Sequence, residues 1–116
     1  MLKVIVDRTR WYRGHGADSS QLLRDDGTMC CLGFACKAAG MHDEDIRGVQ
    51  TVIGARTFMI QSDRRDEFPV SLVALAVNSG DAYQLYVTND LPQSEDRERR
   101  LIELGRRVGI EFEFIN

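Results

Sequence analysis

Proline and long apolar runs are both scarce in this chain. Of its 116 residues only two are proline, Pro69 and Pro92. No apolar run approaches the ~20 residues that a membrane helix needs, so we expect no transmembrane segment. No repeat and no stretch rich in proline, glycine or serine is present, and nothing therefore indicates a linker between domains. We expect residues 1–116 to fold as a single domain of ordinary size.

A basic excess is also missing. The chain has 15 basic and 18 acidic residues, for a net charge of −3. General DNA-binding proteins usually carry a basic excess, so direct nucleic-acid binding is not expected. The whole acidic excess lies in residues 49–116, which would suit a basic protein partner. Of the 15 basic residues 13 are arginine. This bias fits either a GC-rich genome or the two-point binding of phosphate and carboxylate groups.

Neither a signal peptide nor a disulfide framework is indicated. Lys3 and Asp7 interrupt the first apolar residues, and no small-residue cleavage site follows them. The chain has three cysteines, Cys30, Cys31 and Cys36, which is an odd number within one short segment. Two adjacent cysteines also cannot pair without straining the peptide between them. These observations predict a protein of a reducing compartment, the cytoplasm.

Strand patterns are present at both ends of the chain. Leu2–Val6 is rich in β-branched residues. Ile110–Phe114 alternates strictly between apolar and acidic residues, which predicts a half-buried edge strand. A strand at each end suggests that the two termini pair. An Asp-Gly turn signal indicates a hairpin over residues 21–30, and Tyr83–Thr88 alternates like a further strand, although a helix also fits it.

Two segments predict helices. Leu32–Ala39 is small and apolar and is followed by Gly40, a common residue after a last helical turn, which predicts a buried central helix. A second, amphipathic helix is predicted near the C-terminus, with Ser94 as its N-cap and Gly109 at its end. We therefore predict an α+β fold, in which a small, mostly antiparallel sheet is covered by a buried central helix and an amphipathic C-terminal helix.

The segment after the first strand has the composition of an anion-binding loop. Two glycines leave backbone amides accessible, two serines offer hydroxyls, Arg10 and Arg13 offer charge, and a tryptophan offers a ring for stacking. It is not a Walker loop, because Gly-Lys-Ser/Thr is absent. A simple surface turn beside a core tryptophan explains the same residues. The Asn-Asp pair before the last helix is either part of this site or a turn and cap. The candidate ligand-binding residues are Trp11, Arg13, Gly14, His15, Gly16, Ser19, Ser20, Asn89 and Asp90.

The cysteines allow three interpretations. Cys30 or Cys31, at the start of the central helix, would have a lowered pKa and act as a nucleophile if His15 served as the base. A zinc site needs four ligands, and the cysteines with His15 and His42 show no ligand spacing, so we expect neither a metal nor another cofactor. The interpretation that we favour is that the thiols pack in the core as small apolar groups.

Several short motifs resemble uncharacterised small proteins encoded by tailed bacteriophages and prophages. The resemblance covers about half of the chain and none of residues 45–80, and its most specific part is a Met-Cys-Cys-Leu-Gly-Phe string. It provides no catalytic residue. The matching residues are Trp11-x-Arg13-Gly14, Ser20-x-Leu22-Leu23, Gly27-x-Met29-Cys30-Cys31-Leu32-Gly33-Phe34, Gly40, Asn89-Asp90 and residues 109–114.

The resemblance implies a small accessory protein that acts in the cytoplasm of an infected bacterium. The function that we expect first is inhibition of a host antiviral defence factor by binding. One alternative is capture of a nucleotide by the loop around Arg13, and another is a small cysteine-dependent hydrolase. The expected partner is accordingly a host protein or an anionic small molecule.

Overall fold

The computed structural model describes residues 1–13, 21–91 and 96–116. Its two strands lie at the two ends of the chain, and helices occupy most of the sequence between them. Short 3-10 turns at Arg65–Glu67 and Val70–Leu72 connect two of the helices. The remaining elements, in chain order, are β1 (Leu2–Asp7), α1 (Cys31–Ala38), α2 (Asp43–Ile46), α3 (Val52–Gln61), α4 (Val73–Val77), α5 (Ser79–Asp90), α6 (Arg97–Arg107) and β2 (Ile110–Ile115).

The prediction of a mostly antiparallel sheet is wrong. Within the described residues the sheet has two strands, β1 and β2, and they run parallel, with Leu2 opposite Ile110 and Asp7 opposite Ile115. The suggested pairing of the terminal strands is confirmed. A parallel pair needs a long crossover, because the chain must return to the edge from which the first strand started. The helical middle of the chain is that crossover.

The predicted hairpin over residues 21–30 forms in part, without a regular ladder. The Asp-Gly turn forms, with Gly27 at a φ of 86° and the Arg24 N–H bonded to the Thr28 carbonyl at 2.8 Å. The two arms share one more backbone hydrogen bond, from the Cys30 N–H to the Gln21 carbonyl at 3.1 Å, and do not continue into a ladder. Instead Met29 makes a bridge with Trp11, and Leu23 makes one with Arg47. Each arm thus pairs with a different neighbouring segment.

Tyr83–Thr88 is helical rather than a strand. Leu85 is fully buried on α5, whereas Tyr83 and Val87 are 63% and 39% exposed. The alternation of apolar residues in the sequence therefore does not separate a buried from an exposed side. The buried residues Ala82 and Leu85 follow helical spacing instead.

The two predicted helices are confirmed. In α1 the first six residues are buried, and the helix packs on β1 and α5. In α6 the buried residues Arg97, Leu101 and Gly105 recur every four positions, and the helix packs on α5 and β2. Gly105 lies against the ring of Phe112, where a larger residue would clash. The proposed N-cap Ser94 lies outside the described residues. No helix among the described residues is long and apolar enough to cross a membrane.

Candidate functional site

Asn89, at the end of α5, joins three segments of the chain. Its side chain is 1% exposed. Its Oδ1 accepts hydrogen bonds from the indole Nε1–H of Trp11 at 2.8 Å and from the backbone N–H of Cys31 at 3.0 Å. Its Nδ2 donates to the carbonyl of Tyr12 at 3.1 Å. The amide therefore fixes the segment after β1 and the start of α1 against α5.

The Trp11 ring is covered by one aromatic ring and two cations. The ring of Phe114 lies 5.0 Å away, centre to centre. The guanidinium carbon of Arg13 lies 4.6 Å from the centre of the indole, and that of Arg97 lies 5.9 Å from it. Both distances allow a cation–π attraction. Since Trp11 is only 7% exposed, its ring is a platform for the two guanidinium groups rather than a surface for a ligand ring.

Among the described residues, Arg13 and Arg97 have no carboxylate partner. The Nε atoms of both, like that of Arg24 over the Tyr12 ring, are buried without a hydrogen-bond partner among the described residues, and neither Arg13 nor Arg97 forms an ion pair with any of these residues. Arg97 is only 7% exposed. Burial, together with the charge of Arg13, lowers the pKa of Arg97. Two positive charges thus lie against one indole ring, one of them buried, and the site would gain from a bound anion.

The neighbouring carboxylates balance only part of this positive charge. Glu98 is engaged by Arg8 in a two-point pair, with N···O distances of 2.9 and 2.7 Å. That pair lowers the pKa of Glu98, with smaller contributions from Arg13 and Arg97. The Oδ1 of Asp90 accepts a 2.9 Å hydrogen bond from Asn89, and its charge favours the protonated form of Arg97. Within the described part of the chain, three arginines therefore face two carboxylates, which leaves a positive charge excess among these five groups.

We use the name arginine–tryptophan cluster for the group that the structure assembles in this way. Four of its five members are among the candidate residues identified in the sequence. The other five candidates, Gly14, His15, Gly16, Ser19 and Ser20, lie outside the described residues. Arg97 is not among the site residues predicted from the sequence. The sequence feature that could have indicated it is an arginine on the apolar face of an amphipathic helix, where a charged side chain is unusual. The members are Trp11, Arg13, Asn89, Asp90 and Arg97.

The cysteines lie beside this cluster in the core. Cys30 is 2% exposed, and Cys31 and Cys36 are fully buried. Burial raises the pKa of Cys30 to about 11 and raises that of Cys31 well above its ordinary value, and the charge of Asp90 adds to both shifts. Such thiols stay protonated at neutral pH, whereas an activated nucleophile needs a lowered pKa. Among the described residues, no group of three or more His, Cys, Asp or Glu is placed to hold a metal ion.

No protein-family model, curated protein or solved structure matches this chain. Support for a function therefore comes from the geometry and the charge of the arginine–tryptophan cluster.

Proposed function

We propose that this chain is a binding protein that captures an anionic small molecule at the arginine–tryptophan cluster. The observation that supports this proposal is the pair of buried Nε atoms, on Arg13 and Arg97, that lack a partner among the described residues. An oxyanion between the two guanidinium groups would accept hydrogen bonds from both and would offset their repulsion. Arginine is well suited to a phosphate group, because its planar donors match two phosphate oxygens at once. The ligand class is therefore a phosphorylated molecule such as a nucleotide.

The resemblance to small phage proteins supports a biological role for this capture. A protein made in an infected bacterium could withdraw a signalling nucleotide from a host defence system simply by binding it. This role needs no catalytic group. The protonated state of the buried thiols Cys30 and Cys31 favours binding over the alternative of a cysteine-dependent hydrolase.

A second candidate function is inhibitory binding of a host defence protein. Its support is a set of large apolar side chains in the region of α4 and α5, where Val70, Val77 and Tyr83 are 87%, 68% and 63% exposed. The acidic excess of residues 49–116 gives only weak support for a basic partner protein. Several carboxylates of residues 49–116 already pair with arginines of the chain itself.

The proposal is tested by titrating the protein with mono-, di- and cyclic nucleotides. The chain has a single tryptophan, and it lies in the cluster, so its fluorescence reports on binding alongside calorimetry. We expect one class of nucleotide to bind. Arg13→Ala should then lose about 1.5–3 kcal/mol of binding free energy, a roughly tenfold to hundredfold loss of affinity. Arg13→Lys should recover only part of it, because lysine lacks the planar two-point geometry.

Arg10→Ala is the matched control for this experiment. Arg10 lies three residues earlier and is exposed, with a 3.3 Å hydrogen bond to the Gly27 carbonyl. Its removal changes the net charge by the same amount and should leave the affinity within about twofold. An equal loss in both variants would show diffuse attraction instead of a site. If the folded wild-type protein binds no member of the panel, nucleotide capture is excluded and binding of a host protein remains.

A further inference from the structure

A groove of about 260 Å³ lies between α5 and α6. It shares no residue with the arginine–tryptophan cluster. Gln84 and Thr88 form its α5 wall with an amide and a hydroxyl group. The α6 wall has an apolar residue between charged ones. The α6 residues that line the groove are Arg100, Glu103, Leu104 and Arg107.

The arginines of α6 that line the groove differ from their neighbours in their pairing. Arg99 pairs with two carboxylates of its own helix, at 3.3 Å each. Arg106 forms a two-point pair with Glu111, with both N···O distances at 2.8 Å. Arg100 and Arg107 form no ion pair or hydrogen bond through their side chains with any described residue. Of the four exposed arginines of α6, the two that pair with no described residue are therefore the two that line the groove.

The spacing of these arginines selects the shape of an occupant. Arg100 and Arg107 are seven residues apart, which is about 10 Å along a helix axis. In a peptide with the polyproline II conformation, which has three residues per turn, two side chains three positions apart lie on the same side and are about 9 Å apart. An acidic peptide with carboxylates at that spacing would reach both guanidinium groups at once.

We infer that this groove is a docking site for an acidic segment of a partner protein. Gln84 and Thr88 supply a donor and acceptors for the backbone of such a segment. Leu104 supplies an apolar contact between the two cations. On α5, Tyr83 and Val87 are exposed one position before Gln84 and Thr88. They extend the surface with apolar area, of the kind that anchors peptide side chains.

A peptide fits this surface better than a nucleic acid does. A phosphate backbone needs a track of several basic side chains, and most of its affinity depends on their number. The groove has two unpaired arginines, with the carboxylate of Glu103 between them, and the whole chain has a net charge of −3. Apolar contacts at Leu104 and Tyr83 also have no use along a phosphate backbone.

The inference is tested by selecting short peptides from a random displayed library on the wild-type protein. The selected peptides are then measured by fluorescence anisotropy against the Arg100→Gln/Arg107→Gln double variant. The matched control is Arg99→Gln/Arg106→Gln, which removes the same charge from the same helix. We expect acidic peptides with carboxylates three positions apart. Their affinity should fall at least about tenfold in the groove variant and stay within about twofold in the control.

The site is read out independently by amide chemical shifts, which should change along α5 and α6 on addition of a selected peptide. Arg13→Ala should bind these peptides normally, so failure of this inference is distinguishable from failure of nucleotide capture. Selected peptides without acidic residues would overturn the inference. Equal losses in the two double variants would do the same, and so would preferential binding of a single-stranded oligonucleotide in the groove. Thermal melts establish that each variant is folded.

Discussion

The indole Nε1–H of Trp11 donates a 2.8 Å hydrogen bond to Oδ1 of Asn89, a residue 78 positions later in the chain. The same amide caps the first N–H of α1 at Cys31 and holds the carbonyl of Tyr12. All of these groups are buried or partly buried, so water cannot readily replace the amide. One side chain thereby supports both the packing of α1 and the position of the tryptophan on which Arg13 and Arg97 lie.

We expect Asn89→Ala to be strongly destabilising. It would leave the indole N–H of Trp11 and the N–H of Cys31 without an acceptor, and each unsatisfied buried group costs about 1–3 kcal/mol. The free energy of unfolding in urea should fall by about 2–4 kcal/mol in total. Asn78→Ala removes an exposed asparagine of the same region and should change it by about 0.5 kcal/mol or less. Equal effects of the two substitutions would contradict the role of Asn89 as a junction.

Gly33 and Gly80 give a second contrast in stability. A Cβ at Gly33 would collide with the backbone carbonyl of Leu22, which cannot move aside as a flexible side chain can. A Cβ at Gly80, on α5, meets nothing within 4 Å. Gly33→Ala should therefore lower the free energy of unfolding by about 2 kcal/mol or more. Gly80→Ala should raise it by roughly 0.5–1 kcal/mol, since alanine favours a helix. If the melting temperatures of the two variants shifted in the same direction, the close approach at Gly33 would not explain the effect of its substitution on stability.

Local sequence patterns predict the strands β1 and β2 and the helix α1, but not that the two strands run parallel. The alternation in Ile110–Phe114 indicates a strand by itself, because one side of it is buried. The direction of pairing depends on the path of the whole chain, which no short window contains. In α5, exposed Tyr83 and Val87 produced a strand-like alternation that only the tertiary burial of Leu85 resolves.

The candidate site was predictable in part for a similar reason. Trp11, Arg13, Asn89 and Asp90 are polar or aromatic residues beside turn signals, and such residues are recognisable in a sequence. Their proximity is not recognisable, because Trp11 and Asn89 are distant in the chain. Arg97 was read only as part of an amphipathic helix. Its guanidinium lies 5.9 Å from the Trp11 ring, which belongs to a different segment of the chain.

The ion pair of Arg64 with Asp45 predicts a particular pH dependence. Arg64 donates to both oxygens of Asp45, at 2.7 and 3.1 Å, and thereby lowers the pKa of this carboxyl below its ordinary 3.8. A lowered pKa in the folded state stabilises the protein above the pKa of the unfolded chain, and this stabilisation is lost as the pH falls through the folded value. Arg64→Met should therefore lower stability most at neutral pH, and its difference from the wild-type protein should shrink as the pH falls below 3.8 toward the lowered pKa of Asp45 in the folded state.

The measurement is urea unfolding of the wild-type protein and of Arg64→Met across this pH range. Arg47→Met is the control, because Arg47 is exposed and lies 4.0 Å from Asp43. It should show a small difference from the wild-type protein that hardly varies with pH. A constant difference between Arg64→Met and the wild-type protein at every pH would be the contrary result.

Arg97 should lower stability in the absence of a ligand and be needed for stabilisation by one. Burial and the charge of Arg13 both disfavour its protonated form, whereas its attraction to the Trp11 ring, at 5.9 Å, is modest. Arg97→Met keeps a flexible side chain over the ring but removes the charge. Without added ligand, the free energy of unfolding of Arg97→Met should therefore be higher than that of the wild-type protein, or at most about 0.5 kcal/mol lower.

A bound anion stabilises only the folded state, so phosphate or a binding nucleotide should raise the melting temperature of the wild-type protein and raise that of Arg97→Met much less. Arg99→Met, which removes an exposed charge two residues later, should retain the full ligand-induced shift. If Arg97→Met instead melts well below the wild-type protein and keeps that shift, then Arg97 is a structural cation and the anion binds elsewhere.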